Sequence, residues 1–286
     1  MEKKKRLIII LSAVLVAVIL LSVLAAFNIH NIYRWASDLG WGRDPYSLEI
    51  IEMDTYSVTL DEAIEDPGFV VDQSLMLINT SYTIPEGFEW DIEEYKSTTV
   101  YMNTCMLDAY ASLSAAVREQ TGNKLYVSSD LRSREEQEAL WREDPTTATL
   151  PGASEHESGL CLDVYVARYS GDSFLKSRSG RFVSSHAHEY GFIIRYPSYG
   201  EDSTGIRFEP WHIRYVGRPV ADYIYNNSLT LEEFILSLEP NTLYRCGEYI
   251  FSRQSDKDSL NIPEGAISVT ISPDNTGHYI YVAKIA

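Results

Sequence analysis

Basic residues are scarce in this chain: 24 Lys and Arg stand against 41 Asp and Glu, a formal net charge of −17 over 286 residues. A nucleic-acid partner would require a basic face to neutralise phosphates, so that class is excluded. Cysteine is rarer still. Cys105, Cys161 and Cys246 are the only three, and their spacing matches no CxxC metal pattern. Three buried thiols is the plain reading, and one disulfide with a free thiol is the alternative. No internal repeat and no low-complexity tract interrupts the sequence.

What is present suffices for a globular protein. Hydrophobic residues make up 45% of the chain, enough for one core of roughly 150 to 200 residues with accessory segments. Residues 7–27, LIIILSAVLVAVILLSVLAAF, carry no charge. As a helix this run spans roughly 31 Å, against about 30 Å for the hydrocarbon core of a bilayer. Lys3, Lys4, Lys5 and Arg6 precede it, and the positive-inside rule keeps residues 1–6 in the cytoplasm and exports the remainder. A cleaved signal peptide is the rival, with Val23-Leu24-Ala25 as a weak cleavage site. Its apolar region normally runs about 7–15 residues, so an anchor is the expectation. No cysteine follows the run directly, which argues against lipoprotein processing.

Residues 28–72 read as a stalk able to pack on the domain, with a short strand and a helical turn in SLEIIEMDTYSVTLDEAI and with Trp35 and Trp41 suited to a membrane interface. Residues 73–239 read as the principal domain. Its signals are a strand over 74–85, a helix over 103–121 stopped by Gly122, and a strand over 125–129. A helix capped by Ser133 with Glu136 follows, then a strand over 161–166, a helix over 182–190 and strands over 192–197 and 208–217. Residues 240–286 alternate β-prone runs with turns and read as a small separate β unit. The order predicts an α+β fold with a mainly antiparallel sheet and flanking helices.

The chemistry is concentrated in PGASEHESGLCLDV, residues 151–164, where six residues separate His156 from Asp163. With a strand beginning near Gly159, Asp163 lies on it and His156 on the loop feeding it, so the two side chains can converge. Both are good zinc ligands, but a catalytic zinc takes three protein ligands and keeps an open position. The third candidate is His212 in Glu209-Pro210-Trp211-His212. On a regular strand residues three apart point to roughly opposite faces. A bend at Pro210 lets His212 bind while Glu209 reaches the open side as general base. Arg132, in SSDLRSREEQ, is the candidate to face the developing oxyanion.

Four blocks in order, SSDLRSREEQ, PGASEHESGLCLDV, YGFIIRYP and FEPWHIRYVG, resemble those of the VanY-type D-alanyl-D-alanine metallocarboxypeptidases, relatives of the VanX dipeptidases. The similarity runs from about residue 74 to 237. The resemblance implies Zn2+ on His156, Asp163 and His212, Glu209 as base, Arg132 at the scissile carbonyl or the substrate carboxylate, Ser154 as a substrate contact and Gln137 in the cleft. It implies removal of the terminal D-alanine from peptidoglycan stem peptides by an enzyme whose catalytic domain lies outside the membrane. Two positions depart from the pattern. Asp130-Leu131 replace a Gly-Tyr pair, which opens the substrate preference, and Cys161 replaces a usual Ala, a change expected to be harmless in a core. An L,D-carboxypeptidase or D,D-dipeptidase of the same mechanism, or a non-catalytic wall-binding module, are the alternatives. His186 and His188 are read as structural, because residues two apart on a helix do not face each other.

Overall fold

The computed structural model describes residues 2–286; Met1, the first residue of the basic segment, lies outside the described residues. Two compact units are distinguished, one ending at Gly42 and the other running Arg43–Ala286. The first holds the helices Glu2–Phe27 and Ile29–Asp38. Within it Lys4–Ala25 is long and apolar enough to cross a membrane by length and composition, a test that a signal sequence also passes. Leu11, Val14, Leu15 and Leu21 are exposed, as on a helix that is apolar all round.

The second unit is built on a four-stranded antiparallel sheet ordered Tyr126–Ser129, Cys161–Tyr165, His212–Tyr215, Phe192–Ile194. Side chains alternate along each strand. Leu162, Val164 and Ile213 therefore share one face and join Tyr110, Leu113, Val117 and Val183 of two helices in a buried core. Those helices are Leu107–Thr121 and Arg178–His186. The first begins four residues later than the sequence pattern places it, because the Asn103 side chain caps a separate 3-10 turn, Thr104–Met106. It ends at Gly122, whose φ of 76° is the left-handed cap conformation that glycine adopts without steric cost. The helix Arg134–Glu143 opens with the expected capping box of Ser133 and Glu136.

Four expectations require correction. Residues 74–85 form no strand. Leu75, Met76, Leu77 and Ile78 are buried, but the backbone bonds of this segment go largely to side chains. Arg214 takes the carbonyls of Ser74 and Met76 at 3.0 and 2.8 Å, and Asn275 that of Leu77 at 2.9 Å. Such partners satisfy buried carbonyls as a ladder would. The predicted strand over 208–217 is only His212–Tyr215, because residues 209–212 form a turn.

Nor are residues 240–286 a separate unit, or residues 49–71 a stalk. Leu243–Cys246, Tyr249–Gln254, Ala266–Pro273 and Tyr279–Ile285 make one six-stranded sheet with Glu49–Ile51 and Phe69–Val71. Thr55–Val58 pairs with Leu260–Pro263. The pairing of Ala266–Pro273 with Phe69–Val71 is parallel; the other strand pairs are antiparallel. Tyr244, Phe251 and Ile280 of this sheet pack in one buried cluster with Ile193, Val216 and Phe234. Burying an aliphatic or Phe side chain stabilises by about 1.5–3 kcal/mol, so this shared core binds the C-terminal strands to the central sheet. The whole remains α+β.

Candidate metal centre

Strand register assembles the site. Asp163 sits opposite Ser129 on one neighbour and His212 on the other, and Cys161 sits opposite Arg214. Cys161, Asp163, His212 and Arg214 consequently share the sheet face turned away from the Leu162 core. His156 arrives from the 3-10 turn Glu155–Ser158, which closes at Gly159 with φ 66°. A Cβ there would meet Ile92 Cδ1 at 2.6 Å and the Asn103 nitrogen at 2.9 Å. Only glycine lets the turn press against that wall and deliver His156.

His212 Nδ1 lies 3.0 Å from one Asp163 oxygen and His156 Nε2 lies 3.5 Å from the other. The two rings are perpendicular, with centroids 5.1 Å apart. Each imidazole has an outer partner on its other nitrogen. His156 Nδ1 donates to the Asp130 carbonyl at 2.8 Å, which leaves the Nε2 lone pair facing Asp163. His212 Nε2 faces Glu155 Oε2 at 3.6 Å. Among the described buried side-chain atoms these two alone have no hydrogen-bond partner. They point at one another, so a small adjustment gives Nε2–H to the carboxylate and the Nδ1 lone pair to Asp163.

Glu155 was not singled out in the sequence. It is anchored in a buried ionic cluster: its Oε1 accepts from Arg195 at 2.6 Å and from Arg214 at 2.5 Å. Arg195 also makes a two-pronged pair with Glu232 at 2.7 and 2.6 Å. Burial penalises the Glu155 charge, but Arg195 and Arg214 outweigh it and hold the carboxyl well below the usual carboxylate range. The available sequence signal was the alternation His212-x-Arg214, which puts an arginine on the ligand face, together with an acid beside His156.

Burial also opposes charge on both imidazoles, yet Cys161 and Asp163 override it. His156 is raised to about 9 and His212 well above its ordinary value. The pocket thus favours positive charge where two ring nitrogens and a carboxylate converge. Two imidazoles with fixed outer partners and one carboxylate are the donor set of a divalent metal, and these residues fit one.

Of the other expected residues, Glu209 and Arg132 are tied by backbone hydrogen bonds to His212 and His156. Glu209 is half-buried. Its N–H donates to the Tyr196 carbonyl at 3.0 Å and its carbonyl accepts from His212 N–H at 3.1 Å, so the bend at Pro210 exists. Burial raises its carboxyl, and the charges of His212 and Asp163 act on it. Arg132 donates to Ser129 Oγ at 2.9 Å and to Gln137 Oε1 at 2.6 Å, and its N–H to the His156 carbonyl at 3.0 Å. Gln137 is buried, and its amide N–H2 is spent on the Thr149 carbonyl at 2.6 Å. It holds Arg132. Ser154 is buried and its hydroxyl does not cap the turn it precedes. Arg132 and Leu131 line a cavity of about 950 Å³ with Pro85, Phe88 and Trp90.

Outside this cluster, His186 pairs with Glu189 at 2.8 Å. His188 pairs with Asp222 at 2.7 Å and stacks on Tyr225. Cys105, Cys161 and Cys246 are all free thiols; Cys161 is buried and the other two are half-buried.

A family model described as VanY, D-alanyl-D-alanine carboxypeptidase, matches residues 99–218. The protein named "Putative carboxypeptidase YodJ" of Bacillus subtilis is 33% identical over 195 residues, 60% of this chain and 69% of its own length. Among solved structures, a vancomycin resistance D,D-pentapeptidase VanY from a VanB-type cassette, in complex with Zn(II), aligns with TM-score 0.51 and 28% identity. It covers 57% of this chain and 98% of its own. The LD-carboxypeptidase LdcB aligns with TM-score 0.53 and 28% identity, covering 67% and 95%. The strand-and-turn scaffold, the paired imidazoles around Asp163 and these matches agree: the chain belongs to the VanY family of D-alanyl-D-alanine carboxypeptidases.

Proposed function

We propose that the chain is a zinc-dependent carboxypeptidase that removes the terminal D-alanine from peptidoglycan stem peptides. The observation that carries the reading is the orientation of His156 and His212. Each turns one ring nitrogen to Asp163 and faces an acceptor, the Asp130 carbonyl or Glu155, with the other. His156, Asp163 and His212 would hold the metal. Zinc supplies Lewis acidity, making water acidic enough to lose a proton near neutral pH.

The chain's own groups do the rest. Glu209, raised by burial, accepts the proton from the attacking water and returns it to the leaving amine. Arg132, locked by Gln137 and Ser129, presents a fixed guanidinium to the oxyanion or the terminal carboxylate. Ser154 orients the substrate beside it. The cavity along Leu131, Phe88 and Trp90 gives the peptide stem a partly apolar wall.

A second reading, L,D-carboxypeptidase activity on a shortened stem, is favoured by one feature. At the positions of the expected Gly-Tyr, the Asp130 carboxylate accepts the Tyr101 N–H at 2.6 Å and Leu131 faces the cavity. The similarity to LdcB agrees with it. We place the enzyme outside the membrane with residues 7–27 as its anchor, on the length of the apolar run and the basic residues before it.

The test incubates the full chain, in detergent with zinc, with a synthetic pentapeptide stem ending in D-Ala-D-Ala and weighs the products. Loss of one alanine, abolished by chelator and by Glu209→Ala, is the expected result. An uncut pentapeptide beside a cleaved tetrapeptide would move the assignment to the L,D reading.

A further inference from the structure

The proposed mechanism gives no role to Cys161, which stands on the ligand face of the central sheet. Cys161 lies two residues before Asp163 on the same strand, so both point to that face. It is fully buried, whereas the Asp163 side chain is 21% exposed. The carboxylate is thus on the solvent side of the cluster and the thiol on the protein side. Its sulfur and one ring nitrogen from each of His156 and His212 all lie within 4.8 Å of one another. Two tetrahedral zinc ligands, one nitrogen and one sulfur, sit roughly 3.6 Å apart for bonds of about 2.0 and 2.3 Å. Closing the difference takes only side-chain adjustment. Asp163 already has that kind of spacing to both imidazoles, at 3.0 and 3.5 Å.

We propose that Cys161 is an additional metal ligand: the metal held by His156 and His212 takes a sulfur from the protein side as well as, or in place of, the Asp163 oxygen. This rests on the metal reading of the site and goes beyond it. The two imidazoles thus lie beside a carboxylate, at 3.0 and 3.5 Å, and also within 4.8 Å of a thiol, although a catalytic zinc needs only three protein ligands and an open position. On binding, the sulfur–metal bond replaces the S–H bond and the proton passes to solvent. A thiolate is soft, so it biases the centre toward zinc, cobalt and cadmium over magnesium or manganese. The replacement of alanine by cysteine is then a change in the metal centre and not a harmless core substitution.

Cobalt titration of the full chain in detergent tests this independently of turnover. The wild-type cobalt form is expected to show a thiolate-to-cobalt charge-transfer band in the near ultraviolet, absent in Cys161→Ala. Asp163→Asn is expected to keep metal through the sulfur, and Cys161→Ala/Asp163→Asn to bind about 100-fold or more weakly than Asp163→Asn alone. Circular dichroism checks the fold of each variant, and Cys161→Ser keeps the side-chain size where alanine does not. A wild-type cobalt form without the band overturns the proposal. So does an Asp163→Asn variant as poor in metal as the double variant. A wild-type chain that binds no metal sinks both this proposal and the metal reading. One that binds metal without the band sinks this proposal alone.

Discussion

Replacing Glu155 by glutamine keeps the side chain's shape and removes its charge, and two consequences follow from the geometry. The first is on stability. Glu155 Oε1 accepts from both Arg195 and Arg214, all three residues being buried. Arg195 retains Glu232, but Arg214 is left with the carbonyls of Ser74, Met76 and Tyr215. Breaking one side of a buried ion pair costs about 3–5 kcal/mol, a large share of a total stability of about 5–15 kcal/mol. With a urea slope of about 1–3 kcal/mol per molar, the midpoint should fall by at least about 1 M.

The second consequence is on the metal. An amide N–H2 facing His212 Nε2 would donate to that nitrogen, whereas the carboxylate is placed to accept from it. The ring proton then moves to Nδ1, the atom that faces Asp163. Loss of such an outer partner costs about 10–100-fold in metal affinity. Urea unfolding of the metal-free protein and competition with a zinc chelator measure the two effects separately. A Glu155→Gln variant that unfolds at the wild-type urea concentration and binds zinc within twofold of wild type would refute the reasoning.

Glu209→Gln should bind zinc normally and lose about 10²–10⁴-fold in kcat, because a positioned general base is worth that much; steady-state assay with zinc titration checks it. Gly159→Ala should destabilise the protein by about 1–3 kcal/mol, since φ is 66° and the new methyl would sit 2.6 Å from Ile92; thermal unfolding reads it. Gln137→Ala frees Arg132 from its 2.6 Å hydrogen bond; kcat/KM should fall at least tenfold with zinc content unchanged. Chelation should lower the melting temperature of the wild type and leave that of His156→Ala/His212→Ala unmoved, because only a metal bound to the native state stabilises it.

The site residues were legible because they lie in short segments with local meaning. Asp163 follows from a strand period of two, and the helix of Gln137 from the Ser133–Glu136 capping box. Glu155 was not legible, because its meaning depends on Arg195 and Arg214, which are 40 and 59 residues away in sequence. The face on which Cys161 stands was not legible for a related reason. A buried thiol reads as a core residue until the register shows that it shares a face with His212 and not with Leu162.

The sequence by itself pointed to the candidate site residues through ordered motifs, and determined the α+β class and the apolar N-terminal run, which rest on periodicity and length. Tertiary structure alone decided which ring nitrogen each histidine presents, because that choice belongs to the Asp130 carbonyl and Glu155. It also decided that residues 49–71 close the C-terminal sheet, and that residues 74–78 stay irregular under Arg214 and Asn275. These are pairings across some 200 residues of chain, as between Val70 and Thr270. No periodicity records them, because the free energy that selects them comes from burial and hydrogen bonding between segments and not within them.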